Sequence, residues 1–597
     1  MTYRSPVPDI LFSLTHVAGL DEVIEEDVFG ELDGQTAASV IEEAGRFATE
    51  VIAPLNRIGD LQGATYENGR VSSPPGFRDA YRAWAAAGWA GVTGSPEYGG
   101  MGLPHTINAA CAELWNGASM GFALCPLLSE GAIGALNAYA SEELRRIYLG
   151  KLISGEWTGT MNLTEPQAGS DLNAVKTRAA RAPDGTYRVF GQKIFITYGE
   201  HDMADNIVHL VLARLPDAPP GTRGLSLFLV PKFLVKPDGS LGARNDVRCA
   251  SIEHKLGIHA SPTCVMIYGD GEGAVGWLVG QENRGLAAMF VMMNSARLAV
   301  GMQGVGIADR AFQQALAYAR DRRQGRGPNS APGGSAMSPI IEHADVQRML
   351  LTMKALTHAA RGICHLTALA IDRSLHGRDE AARRQAGERA ALLTPVAKAF
   401  STDIGDEVAS LGVQVHGGMG YIEETGAAQH MRDARIAAIY EGANGVQAID
   451  LVQRKLPLAN GATVALEIAG MRAIAADVAA HGGAAFGATA QRLDEAIDAL
   501  DRATKFMAQA LGADAQDALA GATPYLRLFG LALGGACLAK AGLAAQNLSA
   551  GGDSSQLGRV ALARFFAEKI APGAAGLEAT VQSGAGALQQ FESALGA

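Results

Sequence analysis

An α+β fold in which a β domain is set between helical domains is predicted by three features of the 597-residue sequence. Helical patterning fills residues 37–153, short β-type runs bounded by Pro, Gly and Asp replace it over about 156–282, and helical patterning then returns and continues to the C-terminus. No helix-length segment separates the β runs, so an antiparallel β domain is expected rather than βαβ units. No strand leads into Gly-x-Gly-x-x-Gly, which argues against a nicotinamide-type Rossmann domain. The expected division is an N-terminal helical domain (1–157), a middle β domain (158–285), a helical bundle (286–458) and a C-terminal helical extension (459–597).

Length and composition agree with this division. A prior of one domain per roughly 150 residues gives three or four domains. Hydrophobic residues make up 48% of the chain, with abundant Ala and Gly, as in a helix-rich globular protein. The net charge of −11 argues against a general nucleic-acid or anionic-membrane surface. The six cysteines show no Cys-x-x-Cys spacing, so neither a metal site nor a disulfide framework is expected, and buried thiols in a reducing compartment are. The N-terminus lacks the basic and then apolar regions of a secretory signal. The longest apolar run, residues 528–539, is too short to span a membrane and is bracketed by Arg527 and Lys540. A cytoplasmic protein that does not engage a membrane is expected.

In chain order, the first helix is expected from Ala37 with Thr36 as its N-cap. Strands are expected at 206–212, 225–230 and 264–268. A Gly/Pro/Ser insertion at 325–335, expected to be mobile, interrupts the second helical region. The final region is Ala-rich, with loops near Gly482 and Gly551.

Five segments can carry chemistry. Glu441 is the only charged side chain between Arg435 and Asp450, so folding should desolvate it and raise its pKa towards neutrality, as suits a general base. It also reads as a cap for the helix beginning near Asn444. The loop Met161-Asn-Leu-Thr-Glu-Pro-Gln-Ala-Gly-Ser-Asp171 gathers hydroxyls and backbone donors for a flat polar ligand, and reads equally as an ordinary turn. The segment 187–197 is expected to form a hairpin, with Gly191-Gln192 as a type II′ turn. Alternation then puts Lys193, Phe195 and Thr197 on one face, and Ile194 and Ile196 on the other. Gln414-Val-His-Gly417-Gly418-Met-Gly420 can expose amides to phosphates, although it lacks the Lys of a P-loop. Arg320-Asp-Arg322-Arg323-Gln324 ends a helix, where its cations could bind pyrophosphate or offset the helix dipole.

Taken together and in this order, Leu-Thr-Glu-Pro-x-Ala-Gly-Ser-Asp, Gly-x-Lys-x-Phe-Ile-Thr, Gly-Gly-Met-Gly-Tyr and Ile-Tyr-Glu-Gly resemble the acyl-CoA dehydrogenase family over about residues 37–458. The segment beginning at Tyr3 and the C-terminal extension are similar to its larger-subunit branch. The resemblance implies FAD as cofactor, with Met161, Leu163, Thr164, Gly169, Ser170, Phe195 and Thr197 along the flavin and pantetheine. It implies Arg322, Gln324, Gln414, Gly417 and Gly418 on the adenine and pyrophosphate half, often across a homodimer interface. Glu441 would remove the α-proton of an acyl-CoA while the β-hydrogen leaves as hydride to the flavin, giving a trans-2-enoyl-CoA. Its backbone N–H would help to polarise the thioester oxygen. Ser170, Arg297 and Tyr440 would lie at the substrate, and no metal is implied.

Electrons would pass to an electron-transfer flavoprotein, and the substrate would be 3-methylmercaptopropionyl-CoA or a fatty acyl-CoA. Three positions depart from the common pattern: Ala443 for Thr, Gly445 for a longer residue and Asn294 for Asp. The alternatives are an acyl-CoA oxidase and a DNA-associated alkylation-response flavoprotein, the latter opposed by the net charge.

Overall fold

The computed structural model describes residues 3–26, 28–30, 32–328, 337–553 and 555–596, so the expected insertion at 325–335 lies outside the described residues from 329 onward. The first long helix, α1 (Gly34–Phe47), starts three residues before Ala37. Its cap is Asp33 and not Thr36: the Asp33 carboxylate accepts the Thr36 N–H at 2.6 Å, because an acceptor is required just outside the first turn and Thr36 is already inside it. Helix α2 (His105–Tyr139) is buried along nearly its whole length and bends at Ser119, whose φ of −161° and ψ of 104° are extended.

The middle domain is an eight-stranded sheet made of β1 (Trp157–Asn162), β2 (Arg178–Arg181), β3 (Tyr187–Thr197), β4 (Asn206–Arg214), β5 (Leu225–Pro231), β6 (Val247–Ile252), β7 (Thr263–Tyr268) and β8 (Ala274–Val279). The order is β6-β7-β3-β8-β5-β4-β1, with β2 against β3 and β4. Pairing is antiparallel except where β4 meets β1 and β2. Strand β4 is buried to Ala213 and β5 throughout, so both faces of this part of the sheet are covered and their sequences read as unbroken apolar runs.

Residues 187–197 do not form the expected hairpin. They are one strand that changes partners at Gly191, pairing with β2 and β8 before it and with β7 after it. Gly191 has φ +150°, and a Cβ there would lie 2.5 Å from Thr177 Oγ1. The glycine therefore serves a bend and a close approach, which share its sequence signature with a turn.

The bundle consists of α3 (Gly285–Asp321), α4 (Ala344–His376) and α5 (Glu380–His416), followed by the short helices α6 (Ala427–Ala434) and α7 (Asn444–Asp450). Helices α3 and α5 cross at Gly304, where a Cβ would come 2.1 Å from the Ser401 carbonyl. The same two helices bring Arg297 of α3 within electrostatic reach of Lys398 of α5. Arg361 of α4 ties the bundle together, pairing at 2.7 Å with Glu113 of α2 and at 3.3 Å with Asp309 of α3 in a fully buried site.

The extension joins the same core. Helix α8 (Ala462–His481) pairs Glu467 with Arg389 at 2.8 Å, and α9 (Ala522–Ala550) packs Gly530 against the Phe400 ring. Lys540 donates to the Val17 carbonyl at 3.0 Å, and Arg559 meets Asp9 at 2.6 Å, so the extension also clasps the N-terminal segment. Helices α2, α3 and α9 are long and apolar enough to cross a membrane, but most of their apolar length is buried against other elements. All six cysteines are buried and free.

Candidate active site

Glu441 lies on a sharp reversal between α6 and α7. Residues Arg435–Ala438 extend α6 by a 3₁₀ turn, and then Glu441 (φ +56°) and Gly442 (φ +88°) take successive left-handed conformations before α7 begins. Glycine suits position 442 because L side chains rarely adopt that conformation, and a Cβ there would also meet Gln447 Nε2 at 2.5 Å. A left-handed Glu is strained by about 1–3 kcal/mol and persists only where its surroundings enforce it.

The enforcing contacts come from Asn444. Its Oδ1 accepts from Lys398 Nζ at 2.8 Å, while its Nδ2 donates to Asp403 Oδ1 at 2.6 Å and Thr402 Oγ1 at 2.9 Å. The α7 N-cap is Ala443, without a side-chain cap bond, so Glu441 is not the helix cap its position allowed. Among the described residues, neither the Glu441 carboxylate nor its backbone N–H has a hydrogen-bond partner.

Burial raises the Glu441 carboxyl from 4.5 to about 7, against the opposing pull of Lys398 and Arg297. Lys398 has no exposed surface, and burial lowers it to about 8. Burial and the neighbouring Glu441 charge keep the Tyr440 phenol protonated, and it donates to Gln303 Oε1 at 2.5 Å. Arg297 is 7% exposed, with Nη1 3.5 Å from Asp450 Oδ2 and 3.4 Å from Asn294 Oδ1. Asp450 thus supplies the carboxylate that Asn294 lacks. Among the described residues, Arg297 Nε and Gln303 Nε2 are buried with no partner, so the cluster keeps donors in reserve.

A second group forms on the β domain. Lys193 reaches back from β3 to Glu165 Oε1 at 2.8 Å and to the Leu163 carbonyl at 2.9 Å, while the Ile194 N–H donates to the Thr164 carbonyl at 2.9 Å. These bonds fold the loop carrying Leu163 and Thr164 onto β3, next to Met161 at the end of β1. Thr160 Oγ1 joins β1 to the Thr197 carbonyl at 2.7 Å.

Strict alternation fails within β3. Lys193 is buried whereas Phe195 is 58% exposed, so they do not share the predicted face. The register slips by one residue between Lys193 and Ile196, and Phe195 takes φ +59°, so a bulge turns its ring outward. Gly169 and Ser170 are exposed beyond the Glu165–Ala168 bridge.

The third group is at one end of the bundle. The Tyr318 ring stacks on His416 with centroids 4.4 Å apart, which brings the end of α3, with Arg322 and Gln324, to the end of α5, with Gln414, Gly417 and Gly418. All five are exposed, and a Cβ at Gly417 or Gly418 would meet nothing within 4 Å. Among the described residues, no hydrogen bond joins this end to Glu441 or Phe195. An outward aromatic ring and an open glycine cradle beside guanidinium groups suit a ligand with a flat ring system and an anionic tail.

Known proteins share this arrangement along the chain. Models for the acyl-CoA dehydrogenase N-terminal, middle and C-terminal domains match residues 35–156, 160–270 and 283–456, and an acetyl-CoA dehydrogenase C-terminal-like model matches 468–592. The 3-methylmercaptopropionyl-CoA dehydrogenase of Ruegeria pomeroyi is 50% identical over 96% of both chains. The chain belongs to the acyl-CoA dehydrogenase family.

Other acyl-CoA dehydrogenases agree. The broad-specificity linear acyl-CoA dehydrogenase of Mycobacterium tuberculosis is 33% identical over 78% of this chain and 77% of its own. The fold matches that of an acyl-CoA dehydrogenase from Bacillus anthracis complexed with FAD, with a TM-score of 0.73 at 22% identity over 92% of this chain and 88% of that one. The family is FAD-dependent, and its reaction is acyl-CoA dehydrogenation.

Within this family member, sequence reasoning missed Lys398, Gln303, Asn444 and Asp450. Lys398 did carry a signal, as the only charge in the apolar run 392–400. Gln303 and Asn444 carried none, because their roles arise only from the packing of α3, α5 and α7.

Proposed function

We propose that this chain binds FAD and dehydrogenates a short acyl-CoA of the 3-methylmercaptopropionyl type, with Glu441 as the base. The observation that carries this reading is that, among the described residues, one residue offers both an unpartnered carboxylate and an unpartnered backbone N–H. The carboxylate can take the α-proton, and the N–H can polarise the thioester carbonyl whose oxygen gains charge as that proton leaves. A carboxyl held near 7 has the proton affinity a neutral-pH base needs, and Lys398 and Arg297 supply positive charge that favours its ionised form.

FAD, when bound, supplies the two-electron acceptor for the β-hydrogen. Met161, Leu163, Thr164, Phe195 and Thr197 are the residues that would hold its ring system. Arg322, Gln324, Gln414, Gly417 and Gly418 would hold its phosphates, and their exposure favours completion of that site by a second copy in a homodimer. Full-length identity of 50% to the Ruegeria protein supports the sulfur-containing acyl group over a long fatty chain. An electron-transfer flavoprotein is the proposed oxidant of the reduced enzyme. Six buried free thiols support a cytoplasmic setting.

Anaerobic mixing of the FAD-loaded protein with 3-methylmercaptopropionyl-CoA, butyryl-CoA and palmitoyl-CoA tests the reading through flavin bleaching. The first should bleach fastest. Glu441→Gln should retain FAD and acyl-CoA binding while bleaching slows by about a thousandfold or more. Near wild-type bleaching by that variant would remove Glu441 as the base. Rapid reoxidation by oxygen with peroxide release would convert the reading to an oxidase.

A further inference from the structure

Lys398 is an unusual residue to find where it is. It has no exposed surface, it sits among the buried residues Val396, Ala397, Ala399 and Phe400, and among the described residues no carboxylate lies within 4.0 Å of its ammonium. Among the described residues, the ammonium's one hydrogen bond goes to a neutral group, Asn444 Oδ1 at 2.8 Å. Buried lysines are costly and are normally paired, so this one answers to something other than stability.

Two features point from Lys398 to Glu441. The first is mechanical. Asn444 is three residues past Glu441 and is gripped by α5 alone, through Lys398, Thr402, Asp403 and the Ala399 carbonyl. That grip closes the turn whose two left-handed residues are Glu441 and Gly442.

The second is electrostatic. The cations acting on Glu441 are Lys398 and Arg297, and the neighbouring Tyr440 phenol stays neutral. Arg297 is already offset by Asp450, which Arg454 also meets at 2.6 Å. Lys398 faces Asp403, Arg297 and Glu441; burial raises Asp403, and its carboxyl is engaged by Asn444. Lys398 is therefore the cation whose charge is left for Glu441.

We propose that Lys398 is a positioning residue for the base: fixed on the Asn444 carboxamide, it holds the Glu441 turn in its left-handed conformation and keeps an unspent positive charge beside the carboxylate. This rests on the reading of Glu441 as the base. It makes the base of this chain a unit of three residues, Glu441, Asn444 and Lys398, contributed by α5 and by the turn that leads into α7.

The test compares Lys398→Met, Lys398→Arg and Asn444→Ala in the full-length FAD-loaded protein, with FAD content and thermal melts recorded first. Two quantities are read: the pH profile of anaerobic flavin reduction by acyl-CoA, and the protonation of Glu441 by infrared titration of its carboxyl band, identified by difference against Glu441→Gln. Lys398→Met should move the acid limb and the infrared midpoint upward by about one pH unit or more. It should lose roughly tenfold in rate below the limb and recover much of that loss above it. Lys398→Arg should return the limb and midpoint towards wild type, which a purely structural role of the lysine stem would not require. Asn444→Ala should lower the rate at every pH with the limb unmoved.

An unshifted limb and midpoint in Lys398→Met overturns the proposal. If Lys398→Met does not load FAD, Asn444→Ala decides, and a wild-type plateau in that variant overturns it. Glu441→Gln separates the two levels: normal bleaching by Glu441→Gln removes the base itself. An inactive Glu441→Gln beside a wild-type-like Lys398→Met leaves the base and removes only the role of Lys398.

Discussion

Lys193 Nζ lies 2.8 Å from Glu165 Oε1, and neither side chain has appreciable exposure. Burial opposes both charges. For Glu165 it is overcome by Lys193 and the backbone amides of Lys176 and Thr177, which hold the carboxyl down at about 2. Burial lowers Lys193 to about 8, so both groups are ionised at neutral pH. The pair joins the Leu163–Thr164 loop to β3, the two segments proposed to hold the flavin ring.

Breaking that pair from one side should be costly. Lys193→Met strands the Glu165 carboxylate in the interior, and removing one partner of a buried pair costs about 3–5 kcal/mol. The expected outcome is a lower urea midpoint and poorer FAD retention. The pH dependence follows from Glu165. Its folded pKa is depressed, so its contribution is present above about 4.5 and lost as pH falls through about 2. In the variant that contribution is gone, so its stability deficit relative to wild type should be full near neutral pH and shrink as pH falls below about 4.5, and an equal deficit at pH 7 and pH 3 would refute the account.

Glu441 has the opposite sign. Its folded pKa is raised from 4.5 to about 7, so its contribution to stability is fully present below about pH 4.5 and lost as pH rises through about 7. Glu441→Gln, which cannot ionise, should melt close to wild type at pH 5 and above it at pH 8. The same shift places the acid limb of kcat/KM near pH 7, since the base must be ionised to act. An equal melting difference at both pH values would argue against a desolvated carboxylate.

Gly191→Ala should damage the β domain. The added methyl would meet Thr177 Oγ1 at 2.5 Å, where β3 changes partners. Overpacking of this kind costs about 1–3 kcal/mol. Lower stability together with weaker FAD binding is expected in a denaturant and flavin-retention assay, whereas a freely tolerated alanine would mean that the bend at Gly191 is not needed.

Gly418→Ala separates folding from ligand binding. Among the described residues, none beyond the adjoining backbone lies within 4 Å of the added methyl, so the melting temperature of the FAD-free protein should not change. If phosphates lie on this cradle, the methyl intrudes on them, and FAD affinity should fall by about tenfold or more, read by fluorescence titration. Unchanged affinity would place the phosphates elsewhere.

Removing the extension after residue 458 should expose the faces of α4 and α5 that α9 covers at Ala359 and Phe400, and should free Asp9 from Arg559. Aggregation or loss of FAD is expected on size-exclusion chromatography. A soluble, fully active truncate would show that the extension is dispensable to the core.

Much of this architecture was legible in the sequence because it depends on local signals. Strands 206–212, 225–230 and 264–268 are found within two residues of their expected ends, since apolar runs closed by Gly, Pro and Asp mark strands without reference to partners. The isolation of Glu441 between Arg435 and Asp450 foretold its desolvation. The segment 187–197 was misread as a hairpin because a glycine that bends one strand and a glycine that turns between two have the same local preferences, and only the partners β2, β7 and β8 distinguish them.

By itself, then, the sequence determined the order of helical and β regions, the family and the residue that serves as the proposed base, because each rests on pattern and residue type along the chain. Only the tertiary structure decided what acts on that residue. Lys398, Gln303, Asn444 and Asp450 are separated from one another by up to about 150 residues. Their charges and hydrogen bonds meet around Glu441 because α7 packs on α5 through Asn444 and pairs with α3 through Asp450, and electrostatic effects in a low-dielectric interior depend on distance in space rather than along the chain.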